Sequence, residues 1–337
     1  MRTGERTLLI ADIGGTKTDI VGVPVGGDAL PGSEVTTFSN SEFSGAEDVL
    51  DRYVAEAGNR PRFACIAVAG PVVHGAARLT NLAWNLDTRQ LAKRYSLDGA
   101  FLINDAHALG CVVPRLRVAD FTTLVPGAAA PGGTMLVLSP GTGLGMSFVT
   151  RTGNRYRAFP SEGGNAAFAP ATPEQLEILR FTSGELDVVR VEDLCSGPGI
   201  QRIYRFLQES GRYRVSDDDI RISAVPDDVR TAEIVASAIS GETTELCRET
   251  LRLFIEILAD VTRNSALSLM ATGGAFIAGR LPLRLRAQLV GTFGSVFAGS
   301  VRSRTLTPDM PVHLVTKPCP VLEGAFWYAM EKIGATE

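Results

Sequence analysis

Asp12 closes an apolar run, and Gly14, Gly15 and Thr16 follow it at once in LLIADIGGTKTDIVGV, Leu8 to Val23. The run, the break and the resumed alternation of apolar residues predict strand, tight turn and strand. Adjacent glycines accept positive φ and let backbone N–H groups crowd an anion, while an aspartate at a strand end can reach a cation. A nucleotide phosphate with its metal ion suits that combination. A surface hairpin that merely turns at Gly-Gly suits this stretch equally well when it is taken alone. The plan recurs from Thr134 in TMLVLSPGTGLGMSFV, whose turn holds Gly141, Thr142 and Gly143. A third pair, Gly273 and Gly274, lies in ALSLMATGGAFIAGRLP, which reads as strand, Gly-Gly turn and helix. No GxxxxGK[ST] loop is present and GTGLG lacks the GxGxxG spacing, so these turns require a different phosphate cradle.

The elements around the turns alternate. FACIAVAG (Phe63 to Gly70) and AFLIND (Ala100 to Asp105) are predicted buried strands, and GAEDVLDRYVAEAG (Gly45 to Gly58) spaces its apolar residues as an amphipathic helix. That alternation argues an α/β sheet, and two similar hairpins argue an internally duplicated fold with both turns facing one ligand. Beyond Pro160 the chain reads as mainly helical. Pro198 suits the first turn of a helix in GPGIQRIYRFLQESG, and Leu246, Leu251, Phe254, Leu258 and Val261 form an apolar stripe in a long helix from Thr243 to Ser268. A final helix is predicted from Val321 to Ile333.

Composition narrows the partners. The 337 residues exceed the commonest single domain of roughly 100–200 residues, which favours two lobes and leaves room for a deep cleft. With 45% hydrophobic and 21% charged residues the chain is an ordinary globular protein rather than a disordered one. A net charge of −4 without a Lys/Arg run excludes an electrostatic case for nucleic acid or anionic membrane, so small molecules are the expected partners. The five cysteines form no CxxC pair and the three histidines are far apart, which favours reduced thiols in the cytoplasm over disulfides or a zinc site. No span reaches the ~18 apolar residues of a membrane helix.

Seven stretches stand in a telling order: DIGGTKT, LTNLAWNLD (Leu79 to Asp87), LINDAHALG (Leu102 to Gly110), SPGTGLG (Ser139 to Gly145), PSEGGNAAFAP (Pro160 to Pro170), VEDLCSGPG (Val191 to Gly199) and ATGGAFIAG (Ala271 to Gly279). Together they resemble the sugar kinase, actin and heat-shock protein superfamily, and most closely the bacterial-type glucokinases. The resemblance implies a two-lobed actin-like ATPase fold of ribonuclease H type, with a duplicated βαβ core and a cleft whose closure would exclude water. The small lobe would be residues 1–109 with 320–337, and the large lobe 110–319.

It also implies ATP-dependent phosphorylation of glucose to glucose 6-phosphate in the cytoplasm, with Mg²⁺, by a protein that pairs as a homodimer. Asp105 would be the general base for the sugar hydroxyl; capping the helix that begins beside it is the plainer role for such a residue. Asn104, Asp105, Glu162, Asn165 and Glu192 would hold the sugar. Asp12 would hold Mg²⁺ through water, and Gly14, Gly15, Thr16, Gly141, Thr142 and Gly143 the phosphates. Gly273 and Gly274 would admit the nucleotide, while Lys17 is more simply a solvated charge. The family usually has histidine where this chain has Asn165, and an amide reaches less far and never carries charge, so the choice of sugar is open. The rivals are a kinase of another hexose or an amino sugar, a silent sugar-binding regulator, and an ATP-binding scaffold without a sugar. A repressor is not expected, because the phosphate strand begins almost at once and no Cys-rich zinc loop is present.

Overall fold

A computed structural model of the protein describes residues 7–26, 30, 35–58, 60–79, 82–240, 244–299 and 309–334. Within them the chain divides into two compact units, residues 1–116 with 157–160 and 317–337, and residues 117–156 with 161–316.

In the first unit a five-stranded sheet has the order β3-β2-β1-β4-β8. Its strands are β1 (Thr7–Ile13), β2 (Lys17–Pro24), β3 (Thr36–Ser39), β4 (Phe63–Val68) and β8 (Gly99–Asn104). A small antiparallel sheet of β5 (Val72–Val73), β6 (Ala76–Arg78) and β7 (Asn85–Asp87) branches off between β4 and β8. β1 and β2 form the hairpin predicted around Gly14-Gly15, while β1, β4 and β8 run parallel. All six residues of β4 are buried, as a central strand covered on both faces requires.

The period-two alternation of β1 divides its apolar residues between the two faces. Leu9, Ala11 and Ile13 pack with Val49 and Leu50 of α1 (Ala46–Ala57) and Leu91 of α2 (Thr88–Tyr95). Leu8 and Ile10 pack with Leu322 and Phe326 of the helix Pro320–Gly334. That last helix also lies against α3 (Asp105–Val112) so closely that a Cβ on Gly324 would overlap the Ala108 carbonyl.

A six-stranded sheet has the order β12-β11-β10-β13-β14-β9, and all of it but residues 157–160 of β12 belongs to the second unit. The strands are β9 (Phe121–Val125), β10 (Met135–Pro140), β11 (Leu144–Thr152), β12 (Arg155–Ser161), β13 (Gly274–Ile277) and β14 (Val312–Val315). β10 and β11 repeat the hairpin of β1 and β2, with β13 parallel to β10. Helices α4 (Pro173–Ser183), α5 (Val191–Leu194), α6 (Gly197–Glu209), α7 (Asp217–Ala224), α8 (Asp227–Ile239), α9 (Glu245–Leu269), α10 (Arg280–Arg284) and α11 (Arg286–Ala298) complete the unit. α9 is its centre, with Leu251, Phe254, Leu258 and eight more of its residues buried in one apolar cluster, each large apolar side chain worth about 1.5–3 kcal/mol of burial.

One expectation is corrected. The run ALSLM is the last turn of α9 and its cap, not a strand, and the Gly273-Gly274 pair leads into β13, whose first residue is Gly274, instead of following a strand. Met270 ends the helix in the left-handed region at φ 47°, and its N–H returns to the helix carbonyls. Gly273 then passes against Gly133, where a Cβ would lie 2.5 Å from the Gly133 oxygen, so backbone packing is what demands glycine there. The expected start of that helix at Thr243 lies outside the described residues, within which Thr244 caps it by accepting from the Cys247 N–H.

Gly324→Ala is expected to cost at least about 3 kcal/mol, the upper end of overpacking, because two helix backbones must separate. Chemical denaturation of the purified variant checks it, and near-native stability would refute the close contact.

Candidate active site

The carboxyl ends of β1, β4 and β8 lie level, since Ile13 pairs with Val68 and Val68 with Asn104. Asp12, Gly14, Gly15 and Thr16 therefore share one sheet edge with Asn104 and Asp105, two strand spacings or about 10 Å apart. This is the edge at which open parallel sheets bind ligands. The turn ends are also tied together: the Asn104 amide donates to the Gly70 carbonyl at 3.1 Å and the Ala69 N–H to that of Ile13 at 3.4 Å.

Asn104, rather than Asp105, caps α3 by accepting from the His107 N–H at 3.1 Å. Asp105 is the first helical residue, and its Oδ1 accepts from its neighbours, the Ala106 N–H at 2.8 Å and the Asn104 amide at 3.1 Å. Crowding strips water from the carboxyl, and this desolvation raises its pKa above the ordinary aspartate value against the lowering effect of those hydrogen bonds. His107, which sequence reasoning passed over, donates from Nε2 to the Ala158 carbonyl at 3.1 Å and packs edge-on against Tyr328. Its burial lowers its pKa, so the neutral ring makes that bond.

Asp12 stands directly opposite Asp19 on β2 and is partly exposed, while Gly15 and Thr16 are exposed. Lys17 is not a free solvated charge: its ammonium meets the Asp19 carboxylate at 2.5 Å, and Thr37 donates to the other Asp19 oxygen at 2.6 Å. Asn40, also unforeseen, is 3% exposed and lies beneath the Gly14 turn.

In the second unit the candidates converge on Leu144. The Gly141–Gly143 turn precedes it, and the Glu192 carboxylate accepts from the Leu144 N–H at 3.4 Å. A Cβ on Gly143 would come within 2.7 Å of that carboxylate, so glycine is required for Glu192 to lie there. The Gly197 N–H donates to the Gly141 carbonyl at 2.8 Å, tying the turn to the start of α6. Glu162 and Asn165 bound a single helical turn whose Gly164 lies against the Leu144 carbonyl. The Asn165 amide donates to Glu162 Oε2 at 3.0 Å, and the Val191 N–H to Ala166, which joins this loop to α5.

Gly273 and Gly274 do not join this cluster. They are buried, and Gly274 pairs with Met135, five residues or about 16 Å along β10 from Pro140. Gly279 lies at the turn's end instead, at φ 107°, where a Cβ would be 3.1 Å from Ser139 Oγ and 3.4 Å from the Pro140 carbonyl. In the LTNLAWNLD stretch Asp87 caps α2, and Thr80 and Asn81 lie outside the described residues.

Asp105→Asn is expected to unfold at a higher temperature than the native protein at neutral pH. A folded pKa raised above the unfolded one adds stability that is full below the unfolded value and lost as pH rises through the folded one. Above that window the ionised carboxylate is a liability that the amide lacks, so the advantage shrinks as pH falls through it. A thermal-melt series across pH checks this, and a variant less stable than native at neutral pH would contradict the desolvated carboxyl.

The model of the Glucokinase family matches residues 9–332. A glucokinase of Nostoc sp. is 33% identical over 341 aligned residues, covering 95% of this chain and 98% of its own. Among solved structures, a glucokinase from an Antarctic psychrotroph superposes with a TM-score of 0.78 at 27% identity, over 97% of this chain and 99% of the other. A glucokinase from Balamuthia mandrillaris, solved in complex with glucose, has the same fold with a TM-score of 0.79 at 19% identity, over 97% and 94%. The chain therefore belongs to the glucokinase family, and with it to the ATP-dependent hexokinases of two-lobed α/β fold.

Proposed function

We propose that the protein transfers the γ-phosphoryl group of ATP to the 6-hydroxyl of glucose, forming glucose 6-phosphate and ADP, with Asp105 as the general base. The observation that carries this is Asp105 itself: a carboxyl fixed by two hydrogen bonds at a parallel-strand end, with its proton affinity raised by desolvation, beside a glycine turn on the same edge. Asp105 accepts the hydroxyl proton as the sugar oxygen bonds to phosphorus, and the bond from phosphorus to the ADP oxygen breaks. A more basic carboxylate is the better acceptor, and the acid limb of activity then lies above the ordinary carboxylate range.

Asn104, Glu162, Asn165 and Glu192 are assigned to sugar hydroxyls, which carboxylates and amides recognise by paired hydrogen bonds. The phosphates are assigned to Gly14, Gly15 and Thr16 and to Gly141, Thr142 and Gly143. Gly279 replaces Gly273 and Gly274 as the backbone beside the nucleotide's base. Asp12 fits Mg²⁺, because this ion takes one or two carboxylates, phosphate oxygens and water instead of a full protein cage, and the described residues hold no cluster of three or more His, Cys, Asp or Glu side chains placed to bind a metal. Bound there with the nucleotide, the ion would offset charge on the β- and γ-phosphates.

A second reading, a kinase of another hexose or an amino sugar, draws on the bond from Asn165 to Glu162, which occupies one carboxylate oxygen. ADP release from Mg-ATP with glucose, mannose, fructose, glucosamine and N-acetylglucosamine separates the two. Turnover with glucose above all others is expected, and Asp105→Ala should lower kcat by about 10²–10⁴-fold, the usual worth of a positioned base. An Asp105→Ala enzyme with near-native kcat would overturn the assignment. Asn165→His should change the relative kcat/KM among sugars by about tenfold, one hydrogen bond's worth, without changing KM for ATP; an unaltered sugar profile would remove Asn165 from the site.

A further inference from the structure

We infer that Asn40 is a positioning residue that aims the Gly15 amide at the nucleotide, an inference that rests on the Gly14–Thr16 turn being a phosphate site. Asn40 follows β3 directly and begins a single helical turn, Asn40–Glu42. Burial would make any unpaired polar atom there costly, and each of its backbone and side-chain groups has a partner. Its side-chain Nδ2 donates to the Gly14 carbonyl at 2.8 Å, its Oδ1 accepts from the Thr18 hydroxyl at 2.7 Å, and its N–H donates to the Thr16 carbonyl at 3.0 Å. Its carbonyl accepts from the Phe43 N–H at 3.2 Å, and Phe43 is fixed edge-on to Phe38 at 5.8 Å between ring centres. The amide has one orientation, since the Gly14 carbonyl can only accept and must face Nδ2.

The consequence follows from the planar trans peptide, in which the carbonyl of one residue and the N–H of the next point in opposite directions. Holding the Gly14 oxygen inward on Asn40 turns the Gly15 N–H outward, and Gly15 is exposed. The turn is pinned from its other side by the Gly14 N–H, which donates to the Lys17 carbonyl at 3.0 Å. Without Asn40 the two glycines, which resist almost no rotation, would rotate that peptide freely, so binding an anion would have to order it first. Asn40 touches no reacting atom and acts through Gly14. Asp12, by contrast, is held by the β1–β2 and β1–β4 pairing and does not depend on Asn40.

The test uses the full chain. Binding of a non-hydrolysable Mg-ATP analogue is measured by calorimetry, alongside KM for ATP and for sugar, at a temperature where far-UV circular dichroism shows each variant folded. Asn40→Ala is expected to weaken nucleotide binding and raise KM for ATP by about tenfold or more, the loss of one to two hydrogen bonds' worth of preorganisation, with KM for sugar unchanged. Thr18→Val should weaken binding in the same direction by a smaller factor, and Thr18→Ser, which keeps the hydroxyl, should restore it. Unchanged nucleotide affinity in folded Asn40→Ala, or an equal rise in KM for sugar, would show a structural role only and overturn the inference. If Asn40→Ala does not fold, the contrast between Thr18→Val and Thr18→Ser decides alone. A native protein that binds no nucleotide overturns the reading of the turn and the inference with it, a result visible before any variant is made.

Discussion

Register between parallel strands is the constraint on which the first unit's chemistry depends. β1, β4 and β8 end level at Ile13, Val68 and Asn104, so the chain leaves the sheet three times along one edge. The exits after β1 and β4 are irregular and the one after β8 turns straight into α3, and the groups that leave the ladder there must find partners elsewhere. They find them in one another: Asn104 with Gly70, Ala69 with Ile13, and Asn40 with Gly14 and Thr16. A strand slipped by one residue would exchange the side chains of its two buried faces, setting Leu8 where Leu9 belongs, and break this row of contacts together with the packing on both sides. The apolar alternation that buries the sheet is thus also what sets Asp12 and Asp105 on a common edge.

The second unit uses the same hairpin for a different arrangement. Its phosphate-turn and sugar-loop candidates come from three separate chain segments, and Leu144 is where they meet: the Gly141–Gly143 turn covalently, Glu192 by its carboxylate, and Gly164 by close backbone approach. Two glycines hold the arrangement, and each is required by a neighbour instead of by its own torsions. Gly143 leaves room for a carboxylate and Gly164 for a carbonyl. A methyl group on Gly143 would push the Glu192 carboxylate away from the turn, and one on Gly164 would press the single helical turn off the Leu144 carbonyl.

Much of this was legible in the residues, because local patterns encode local structure. Both hairpins, the buried strand Phe63–Val68 and the amphipathic helices followed from apolar period and glycine placement, whereas the second expected buried strand is the edge strand Gly99–Asn104, in which only Leu102 and Ile103 are buried. The run ALSLM misled because a short apolar stretch fits a helix turn and a strand equally, and its helical neighbours decided the matter through the stripe of α9. The glycine pair that follows it then inherited the wrong neighbour, and Gly279 was overlooked. Asn40 and His107 left no pattern, because each depends on residues brought near by the fold, and the pairing of Lys17 with Asp19, two residues apart on one strand, was local and was missed. Charged residues at strand ends were readable as candidates, and the buried partners of the turns beside them were not.

The contact of Gly324 with Ala108 joins the helix carrying Asp105 to a helix made far later in the chain. Such a long-range pairing cannot form until nearly all of the chain exists, and its loop-closure cost falls late in folding. A polypeptide halted before residue 320 would carry both glycine hairpins and the aspartate, yet α3 would lack the helix it packs against. Completion of synthesis, not the appearance of the aspartate, is therefore what gives α3 its packing partner.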